Sequence, residues 1–476
     1  MHNLYLALDQ GGHSSRALLF DAGGALVTSA SVPIGTQRDD LGHIEHDPEE
    51  LVRSLQQAIA SVCAKLPAGQ HLRAAGLATQ RSSMLCWNRH TGAALSPVIS
   101  WQDRRHATWL ERLAPRSAEI RAQTGLMLTP HYGASKMRWC LDHLPAVREA
   151  RADGTLVMGP LASFLVCRLV GGRPLFADPA NASRTQLWAL ATQDWSPELL
   201  VLFGIDATVL PRAVTSRYAY GDLVTPAGPV PLTVVTGDQS AVPFAFGPLD
   251  PAIAYVNLGT GAFAQRAVSG PLPDAPRLLV SVVWSTADRV DYLLEGTVNG
   301  AASALDWLAQ REGVPLTELL RLAEAAIATQ ETPPLFINGV SGLGSPFWVS
   351  ALESRFIGTG SRGAHVLAVL ESIAFLLHVN LQEMRPHGPP LTGLLVTGGL
   401  SANDYLCSCL GSLSHLPVTR AEDPEATARG LARLVAGDAA AAWPMDHGRS
   451  EPPLPNTNLN GRYRQWREAM EQALHP

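Results

Sequence analysis

A glycine turn between two apolar segments occurs near the start of the chain and again past its midpoint. The first copy reads LYLALDQGGHSSRALLFD, in which apolar residues 4–8 and 17–20 flank a polar stretch. The second copy reads AIAYVNLGTGAFAQRAV and has Gly259-Thr260-Gly261 at its turn. Short apolar segments separated by glycines predict two buried strands joined by a tight turn. Because this pattern occurs twice, it indicates two related halves.

Two aspartates and a third glycine turn follow other apolar segments. Asp9 ends the first strand, Asp238 ends the strand in PLTVVTGDQSAVPFAFG, and Gly398-Gly399 leads from a strand into a helix. A carboxylate at such a position is costly unless it is solvated, paired or bound to a metal. Glycine turns and helix N-termini offer N–H groups to phosphate. Taken alone, the first turn is better explained as an ordinary polar hairpin, but all five features together predict a cleft between two α/β halves, with a nucleotide on one side and an acceptor on the other.

Length and composition limit the class of protein. A chain of 476 residues exceeds what one hydrophobic core usually serves, so two domains are expected. The net charge of −6 argues against a nucleic-acid-binding protein, which normally has a basic face. The six cysteines include no CxxC pair, which favours reduced thiols and a cytoplasmic location. The apolar stretch 366–381 contains Glu371 and His378, so it predicts a buried helix rather than a membrane span.

Strands and helices are mixed along the whole chain, which favours the α/β class. The segment HDPEELVRSLQQAIASVCAKL predicts a helix, with Asp47 as its cap, Pro48 in its first turn and Glu50 completing a capping-box pattern. We place the domain boundary just after the strand that ends at Asp238, which gives domains of residues 1–241 and 242–476.

The chain resembles the FGGY family of carbohydrate kinases over nearly its whole length, and most of all the glycerol kinase branch of that family. The segments that carry the resemblance are ALDQGGHSSRALLFD, GHIEHDPEE, TQRSSMLCWNRHTG, ISWQDRR, SKMRWCLDH, DPANASRTQLW, GDQSA, LGTGAF, SGLGSPFW, HVLAVLESIAF and GGLSANDYL. The resemblance implies two ribonuclease H-like domains of the actin-like ATPase fold with a cleft between them. It also implies phosphorylation of a polyol or sugar hydroxyl, with ATP and Mg²⁺ as cofactors. The first domain would hold the acceptor and part of the phosphate site, and the second would bind the nucleotide.

The resemblance further implies roles for individual residues. Asp238 matches the catalytic base, and both Asp9 and Asp238 are expected near Mg²⁺. The residues expected at the acceptor are Arg81, Ser82, Trp101, His131, Gln239 and Phe263. The residues expected at ATP are Gly11, Gly12, Ser14, Ser15, Arg16, Gly259, Thr260, Gly261, Gly398, Gly399 and Asn403. The chemistry agrees, because a carboxylate can accept the hydroxyl proton while N–H groups, cations and Mg²⁺ hold the phosphoryl charge.

Several positions depart from the family pattern. Glycerol-specific members carry a glutamate at Ser82 and a tyrosine at His131, so this pocket is expected to be roomier or differently polar. Two threonines of the first turn are replaced by Gly12 and His13, which removes two hydroxyl donors to phosphate. Three interpretations therefore stay open. They are a kinase of a larger polyol or ketose, a glycerol kinase proper, and a weakly active sugar-binding regulatory member.

Alternatives also stay open for single residues. Trp101 could serve as core packing, His131 could be a hydrogen-bonded wall histidine, and we expect Arg184 to support the domain structure rather than the chemistry. The expected partner is a small polyol or sugar, with no nucleic acid and no membrane. A homodimer is an assembly that the sequence leaves open.

Overall fold

The computed structural model describes residues 2–67, 69–421, 425–445 and 448–475. Its strands are β1 (His2–Gln10), β2 (Ser14–Phe20), β3 (Leu26–Pro33), β4 (Gln37–Arg38), β5 (Ile44–His46), β6 (Gln70–Thr79), β7 (Met84–Asn88), β8 (Val98–Ile99), β9 (Leu156–Pro160), β10 (Phe176–Ala177), β11 (Trp188–Ala189), β12 (Asp194–Trp195), β13 (Arg212–Ala213), β14 (Arg217–Thr225), β15 (Gly228–Gly237), β16 (Ile253–Leu258), β17 (Ala262–Ser269), β18 (Leu279–Ser285), β19 (Val290–Val298), β20 (Leu335–Ile337), β21 (Arg355–Ile357), β22 (Gly393–Thr397), β23 (Val418–Arg420) and β24 (Arg449–Glu451).

The α-helices are α1 (Pro48–Cys63), α2 (Ala107–Leu110), α3 (Ser117–Thr124), α4 (Gly133–His143), α5 (Pro145–Ala152), α6 (Leu161–Leu169), α7 (Pro179–Ala182), α8 (Pro197–Phe203), α9 (Asp238–Ala241), α10 (Ala302–Glu312), α11 (Leu316–Ala328), α12 (Arg362–Met384), α13 (Asp404–Ser414), α14 (Ala426–Ala436) and α15 (Thr457–Leu474). Short 3₁₀ segments include Ser183–Thr185, Val242–Phe246 and Gly399–Ala402.

Two large mixed sheets, of six and seven strands, share the pattern of their central strands. The N-terminal sheet has the order β14-β15-β6-β1-β2-β3, and the C-terminal sheet has the order β18-β19-β17-β16-β22-β23-β24. In each, the first strand (β1 or β16) pairs antiparallel with the strand after the glycine turn and parallel with a later strand, β6 or β22. A second parallel strand, β15 or β23, follows next. The repeat seen in the sequence is therefore a repeat of sheet topology.

Helix α1 shows how local sequence sets an element that packs on the N-terminal sheet. Asp47 caps the helix by accepting the N–H of Glu49, and the buried positions of α1 include Leu51, Leu55 and Ile59 on its apolar face. The capping-box prediction for Glu50 is wrong, because its carboxylate accepts the N–H of Gly35 at 3.1 Å instead. The helix thus begins as predicted, but its glutamate ties a neighbouring loop to it.

Helix α12 is the long apolar helix of the C-terminal half. Within the described residues, one helical stretch, 362–387, has the length and hydropathy to cross a membrane, and 94% of its most apolar window is buried inside the protein. Its residues pack into the largest hydrophobic cluster, beside the strands of the C-terminal sheet. The prediction of a buried helix over 366–381 is confirmed.

Helix α14 joins the two sheets. Leu431 and Val435 of α14 belong to a cluster that also contains Tyr5 of β1 and Leu293 of β19. The contact is close, since a Cβ atom at Gly76 of β6 would lie 2.6 Å from the Cγ2 of Val435. The cleft between the sheets is therefore closed on this side by packed side chains.

Candidate active site

A cavity of about 280 Å³, lined mostly by residues with polar side chains and called here the central cavity, lies where β6 and β15 of the N-terminal sheet end and meet β16 and β17. This volume is near the lower end of the roughly 300–1,000 Å³ typical of small-ligand pockets. Its lining residues are Gly12, His13, Thr36, His46, Gln80, Arg81, Ser82, Ser100, Trp101, Gln102, His131, Arg184, Asp238, Gln239, Asn257 and Phe263. All six residues expected at the acceptor, together with Asp238, are thus brought to one cavity.

Asp238 starts α9 directly after β15, so its carboxylate lies at the carboxyl edge of the N-terminal sheet. One carboxylate oxygen accepts the N–H of Gln239 at 2.6 Å. Burial raises the pKa of Asp238, whereas the nearby guanidinium of Arg81 lowers it, and burial prevails. The result is an ionisable carboxylate that is more basic than usual and lines the cavity.

Arg81 follows β6 and reaches into the cavity across Gly237. A Cβ atom at position 237 would lie 2.5 Å from the Cγ and Cδ atoms of Arg81, so glycine is required for this close approach. The guanidinium pairs with Glu295 of β19 at 3.3 Å. Arg184 pairs with the same carboxylate at 3.2 Å and also lines the cavity. The expectation that Arg184 supports the domain structure rather than the chemistry stays a prediction: its contact with Glu295 joins the two halves, and its side chain also lines the central cavity.

Ser82 has a left-handed backbone, with φ of 64°, and is 6% exposed. Its hydroxyl has no hydrogen-bond partner among the described residues, although it is buried. An unpaired buried hydroxyl is costly, which makes it a candidate partner for a ligand group. The departure from the family pattern at this position therefore leaves a free polar atom in the cavity wall.

His131 and Trp101 form another part of the wall. Their rings meet edge to face with centroids 5.7 Å apart. Trp101 is 38% exposed, so the alternative that it serves as core packing is wrong. Burial, aided by Lys136, holds the pKa of His131 well below its ordinary value. The imidazole is therefore neutral near pH 7 and can both donate and accept hydrogen bonds.

Lys136 of α4 fixes the backbone of this wall and was not singled out from the sequence. Its buried ammonium donates to the carbonyl oxygens of Ser82 at 3.2 Å, Ser100 at 2.8 Å and His131 at 2.7 Å. The three residues that accept these hydrogen bonds line the central cavity. The sequence offered a signal for Lys136, because this residue lies within the SKMRWCLDH segment that carries part of the family resemblance.

A second cavity, of about 450 Å³ and called here the glycine cavity, adjoins the first. It is lined by Gln239, Val242, Asn257, Thr397, Gly398, Gly399, Ser401, Ala421, Ala426 and Thr427. Gln239 and Asn257 line both cavities, so the two spaces meet beside Asp238. Gly398 has φ of 91°, and a Cβ atom there would lie 2.5 Å from the carbonyl oxygen of Leu258. The third glycine turn therefore packs on the end of β16, where the second turn begins.

The first and second turns are positioned by backbone contacts and two ion pairs. Gly11 donates its N–H to the carbonyl of Ser14, and Asp9 pairs with Arg16 across the β1–β2 register. Arg16 also pairs with Glu425 at 2.6 Å. In the second turn, the carbonyl oxygen of Thr260 accepts N–H groups from the start of α10. Gly259 and Gly261 close this turn through a Gly259 N–H to Gly261 carbonyl bond of 3.0 Å.

Two residues expected at the nucleotide are engaged elsewhere. The hydroxyl of Ser15 bonds that of Ser54 in α1 at 2.8 Å, so it points into the packing of the N-terminal sheet. Asn403 caps α13 by accepting the N–H of Leu406 at 2.9 Å. Of the residues expected at ATP, Gly12 lines the central cavity and Gly398 and Gly399 line the glycine cavity. In the described chain, the others line neither of these two cavities: Gly11, Ser14, Ser15, Arg16, Gly259, Thr260, Gly261 and Asn403.

Comparison with known proteins assigns the chain to a family. The N-terminal domain model of the FGGY family of carbohydrate kinases matches residues 4–256, and the C-terminal domain model matches residues 254–439. The chain belongs to the FGGY family of carbohydrate kinases.

Similar proteins agree with this assignment. The glycerol kinase of Rhodospirillum centenum is 34% identical over 488 residues, covering 98% of this chain and 97% of that protein. The glycerol kinase of Alkalilimnicola ehrlichii is 36% identical over 444 residues, covering 90% and 89%. The structure of Plasmodium falciparum glycerol kinase with ADP has a TM-score of 0.91 at 23% identity, covering 100% of this chain and 99% of that one. A xylulose kinase from Rhodospirillum rubrum has a TM-score of 0.85 at 21% identity, with 99% coverage of both chains.

The predicted two-domain, actin-like ATPase fold is confirmed by these structures. As an FGGY kinase, the chain is an ATP-dependent phosphotransferase that acts on an alcohol group of a carbohydrate or polyol.

Proposed function

We propose that this FGGY kinase transfers the terminal phosphate of ATP to a hydroxyl of a polyol or ketose longer than glycerol, bound in the central cavity. One observation carries the proposal. The cavity holds an unpaired serine hydroxyl and a neutral histidine where the family resemblance implies a glutamate and a tyrosine in glycerol-specific members. The residue roles below belong to this proposal.

Asp238 is the general base of the proposed reaction. A sugar hydroxyl is a poor nucleophile at neutral pH, so a carboxylate within reach accelerates transfer by accepting its proton. Asp238 lines the central cavity and lies next to Gln239, which lines both cavities. Arg81 can donate in fork geometry to acceptor hydroxyls, and Trp101 can cover the apolar C–H face of the acceptor.

The glycine turns and Arg16 are proposed to hold the phosphates. Gly12, Gly398 and Gly399 line the two cavities, and turns of this kind direct backbone N–H groups toward anions. The guanidinium of Arg16 lies beside the first turn, paired with Asp9 and Glu425. Because this turn lacks the two threonine hydroxyls, backbone N–H groups and the Arg16 guanidinium remain as the hydrogen-bond donors to phosphate.

The chain's carboxylates fit a Mg²⁺ site. Burial, together with the neighbouring Asp238 carboxylate, raises the pKa of Asp9 to about 6 against the pull of Arg16. Within the described residues no group of three or more His, Cys, Asp or Glu side chains could hold a metal. Mg²⁺ usually binds one or two carboxylates together with substrate phosphates and water, so Asp9 and Asp238 supply the donors it needs. When bound there, the ion would neutralise charge on the phosphates.

A coupled ADP-release assay tests the choice of acceptor. The kcat/KM is measured for glycerol, erythritol, xylitol, ribitol, D-xylulose and D-ribulose, with an Asp238→Asn protein prepared in parallel to report contaminating kinases. We expect at least one longer acceptor to exceed glycerol by about tenfold or more, the value of one charged or well-placed hydrogen bond. A glycerol kcat/KM above that of every longer acceptor would refute the proposal.

Glycerol itself is the second candidate, because the relatives at 34% and 36% identity are glycerol kinases. The same assay separates the two. A third interpretation, a weakly active sugar-binding regulator, predicts that these acceptors raise the Tm without releasing ADP.

We also propose a cytoplasmic location. All six cysteines are free thiols, five of them buried, which agrees with a reducing compartment.

A further inference from the structure

Glu295 is a buried carboxylate that the C-terminal sheet directs toward the central cavity. It lies on β19 opposite Gln265 of β17 and is 1% exposed. The side-chain amide of Gln265 donates to one of its oxygens at 3.0 Å. Glu295 itself does not line the cavity, so it acts on a ligand only through other residues.

Both arginine partners of Glu295 come from the N-terminal half and line the cavity. Arg81 Nη2 lies 3.3 Å from one carboxylate oxygen, and Arg184 Nη2 lies 3.2 Å from the other. A single carboxylate therefore orients two guanidinium groups from separate segments, one after β6 and one in the 3₁₀ segment Ser183–Thr185. The two contacts also tie the N-terminal sheet to the C-terminal sheet at the cavity.

The pairing is electrostatically necessary. Arg81 and Arg184 are both buried and near each other, so each disfavours the charge of the other. Burial alone would raise the pKa of Glu295, but Arg184 and Arg81 outweigh it and lower the pKa to about 2. Glu295 is therefore an anion near neutral pH, and without it the two buried guanidinium groups would keep, among the described residues, only Asp238 as a nearby carboxylate.

The remaining N–H groups of the two arginines are available to a ligand. Arg81 Nη1 and Arg184 Nε and Nη1 are buried and have no hydrogen-bond partner within the described residues. Both side chains line the central cavity. Such donors are costly unless a ligand or water pairs with them, and hydroxyl oxygens are suitable acceptors.

We propose that Glu295 is a positioning residue for the acceptor: it holds Arg81 and Arg184 in one orientation so that their remaining N–H groups meet acceptor hydroxyls. The inference rests on the acceptor site proposed above. It makes acceptor affinity depend on a carboxylate that the C-terminal sheet supplies to a site built mainly from the N-terminal half.

The test is a Glu295→Gln variant of the full chain, assayed by ADP release with each acceptor of the same panel. The amide keeps the shape but removes the charge that aligns the guanidinium groups. We expect the acceptor KM to rise roughly ten- to a hundredfold, the effect of losing a charged hydrogen bond. The ATP KM should change by less than about threefold, because a uniform loss of structure would move both.

Glu371→Gln is the matched control. Glu371 of α12 is another buried glutamate of the C-terminal half, paired with Arg462 at 2.5 Å, and it lines neither cavity in the described chain. It should lower the Tm while leaving the acceptor KM unchanged. If Glu295→Gln does not fold, Glu295→Asp retains the charge with a shorter reach and should give a smaller rise in acceptor KM.

An unchanged acceptor KM in the folded Glu295 variant, or an equal rise in both KM values, would overturn the inference. An Arg81→Met variant separates this failure from a failure of the proposed site. If Arg81→Met raises the acceptor KM and Glu295→Gln does not, only the positioning role is wrong. If neither variant changes it, the acceptor site itself is misplaced.

Discussion

Replacing Gly237 with alanine should weaken acceptor use chiefly by displacing Arg81, since the next nearest atom to the new methyl group, Ser240 Oγ, would lie 3.2 Å away. The backbone at Gly237 has φ of −86° and ψ of 152°, which any L-residue adopts, so the change causes no backbone strain. The added methyl group would lie 2.5 Å from the Cγ and Cδ atoms of Arg81, in the middle of that side chain. Arg81 must therefore move, and its guanidinium leaves its present position in the central cavity.

The magnitude follows from what Arg81 would lose. The hydrogen bond from Arg81 to Glu295 is already 3.3 Å long. A shift of the Arg81 side chain therefore breaks it and misaligns the N–H donors that face the acceptor. Loss of one charged hydrogen bond costs about 1.5–3 kcal/mol, which is roughly ten- to a hundredfold in kcat/KM. The overpacking costs about 1–3 kcal/mol of stability, offset in part by about 0.4–1 kcal/mol from a less flexible unfolded chain. The variant should therefore remain folded.

The assay is a double-mutant cycle by coupled ADP release. Gly237→Ala is compared with wild type and again in an Arg81→Ala background, where no Cγ is present to be displaced. We expect a ten- to hundredfold loss of acceptor kcat/KM in the first comparison, and almost none in the second. Gly461→Ala is the control, because a Cβ atom at that position of α15 meets no atom within 4 Å.

Two results would refute this reasoning. One is an unchanged acceptor kcat/KM in the Gly237→Ala protein, which would mean that Arg81 adjusts without cost. The other is an equal loss in the Arg81→Ala background, which would mean that the methyl group acts through a different neighbour.

Three further predictions concern the base, the acceptor wall and acid stability. Asp238→Asn should lower kcat about 10²–10⁴-fold while the protein stays folded and still binds acceptor by calorimetry, and near-wild-type turnover would remove Asp238 from the mechanism. Ser82→Glu combined with His131→Tyr should raise the ratio of glycerol kcat/KM to that of the best longer acceptor, and an unchanged ratio would show that these side chains do not select the acceptor. Because the pKa of Glu295 is lowered from 4.5 to about 2, its stabilisation is complete above pH 4.5 and is lost as the pH falls toward 2. Urea unfolding between pH 6 and 3 should therefore show a weaker pH dependence for Glu295→Gln than for wild type, and parallel curves would contradict the pairing.

Local sequence predicted the elements whose causes are local. The glycine turns, the apolar segments around them and helix α1 with its Asp47 cap depend on residues a few positions apart. The buried nature of α12 followed from two ionisable residues in an otherwise apolar stretch, since a membrane would not accept them without partners. The family resemblance then identified the acceptor residues that the structure brings to the central cavity.

The direction of individual side chains and their hydrogen-bond partners could not be predicted from the sequence. The hydroxyl of Ser15 points toward Ser54 because strand alternation places it on the α1 side of the sheet, and Asn403 is used as a helix cap. Glu50, predicted to cap α1, instead bonds a loop that precedes the helix. In each case the residue type was right for a polar contact, but the partner was fixed by packing.

By itself, the sequence determined the repeated strand-turn-strand pattern and the family. It also determined the aspartates and glycine turns at the strand ends. These features depend on short-range spacing and on residue type. Only the tertiary structure decided how the cavity wall is built. Glu295, Arg184 and Lys136 lie far apart along the chain, and their charges are tolerated only where burial brings compensating partners within hydrogen-bond distance. Such compensation is a property of the folded arrangement, so no pattern of neighbouring residues predicts it.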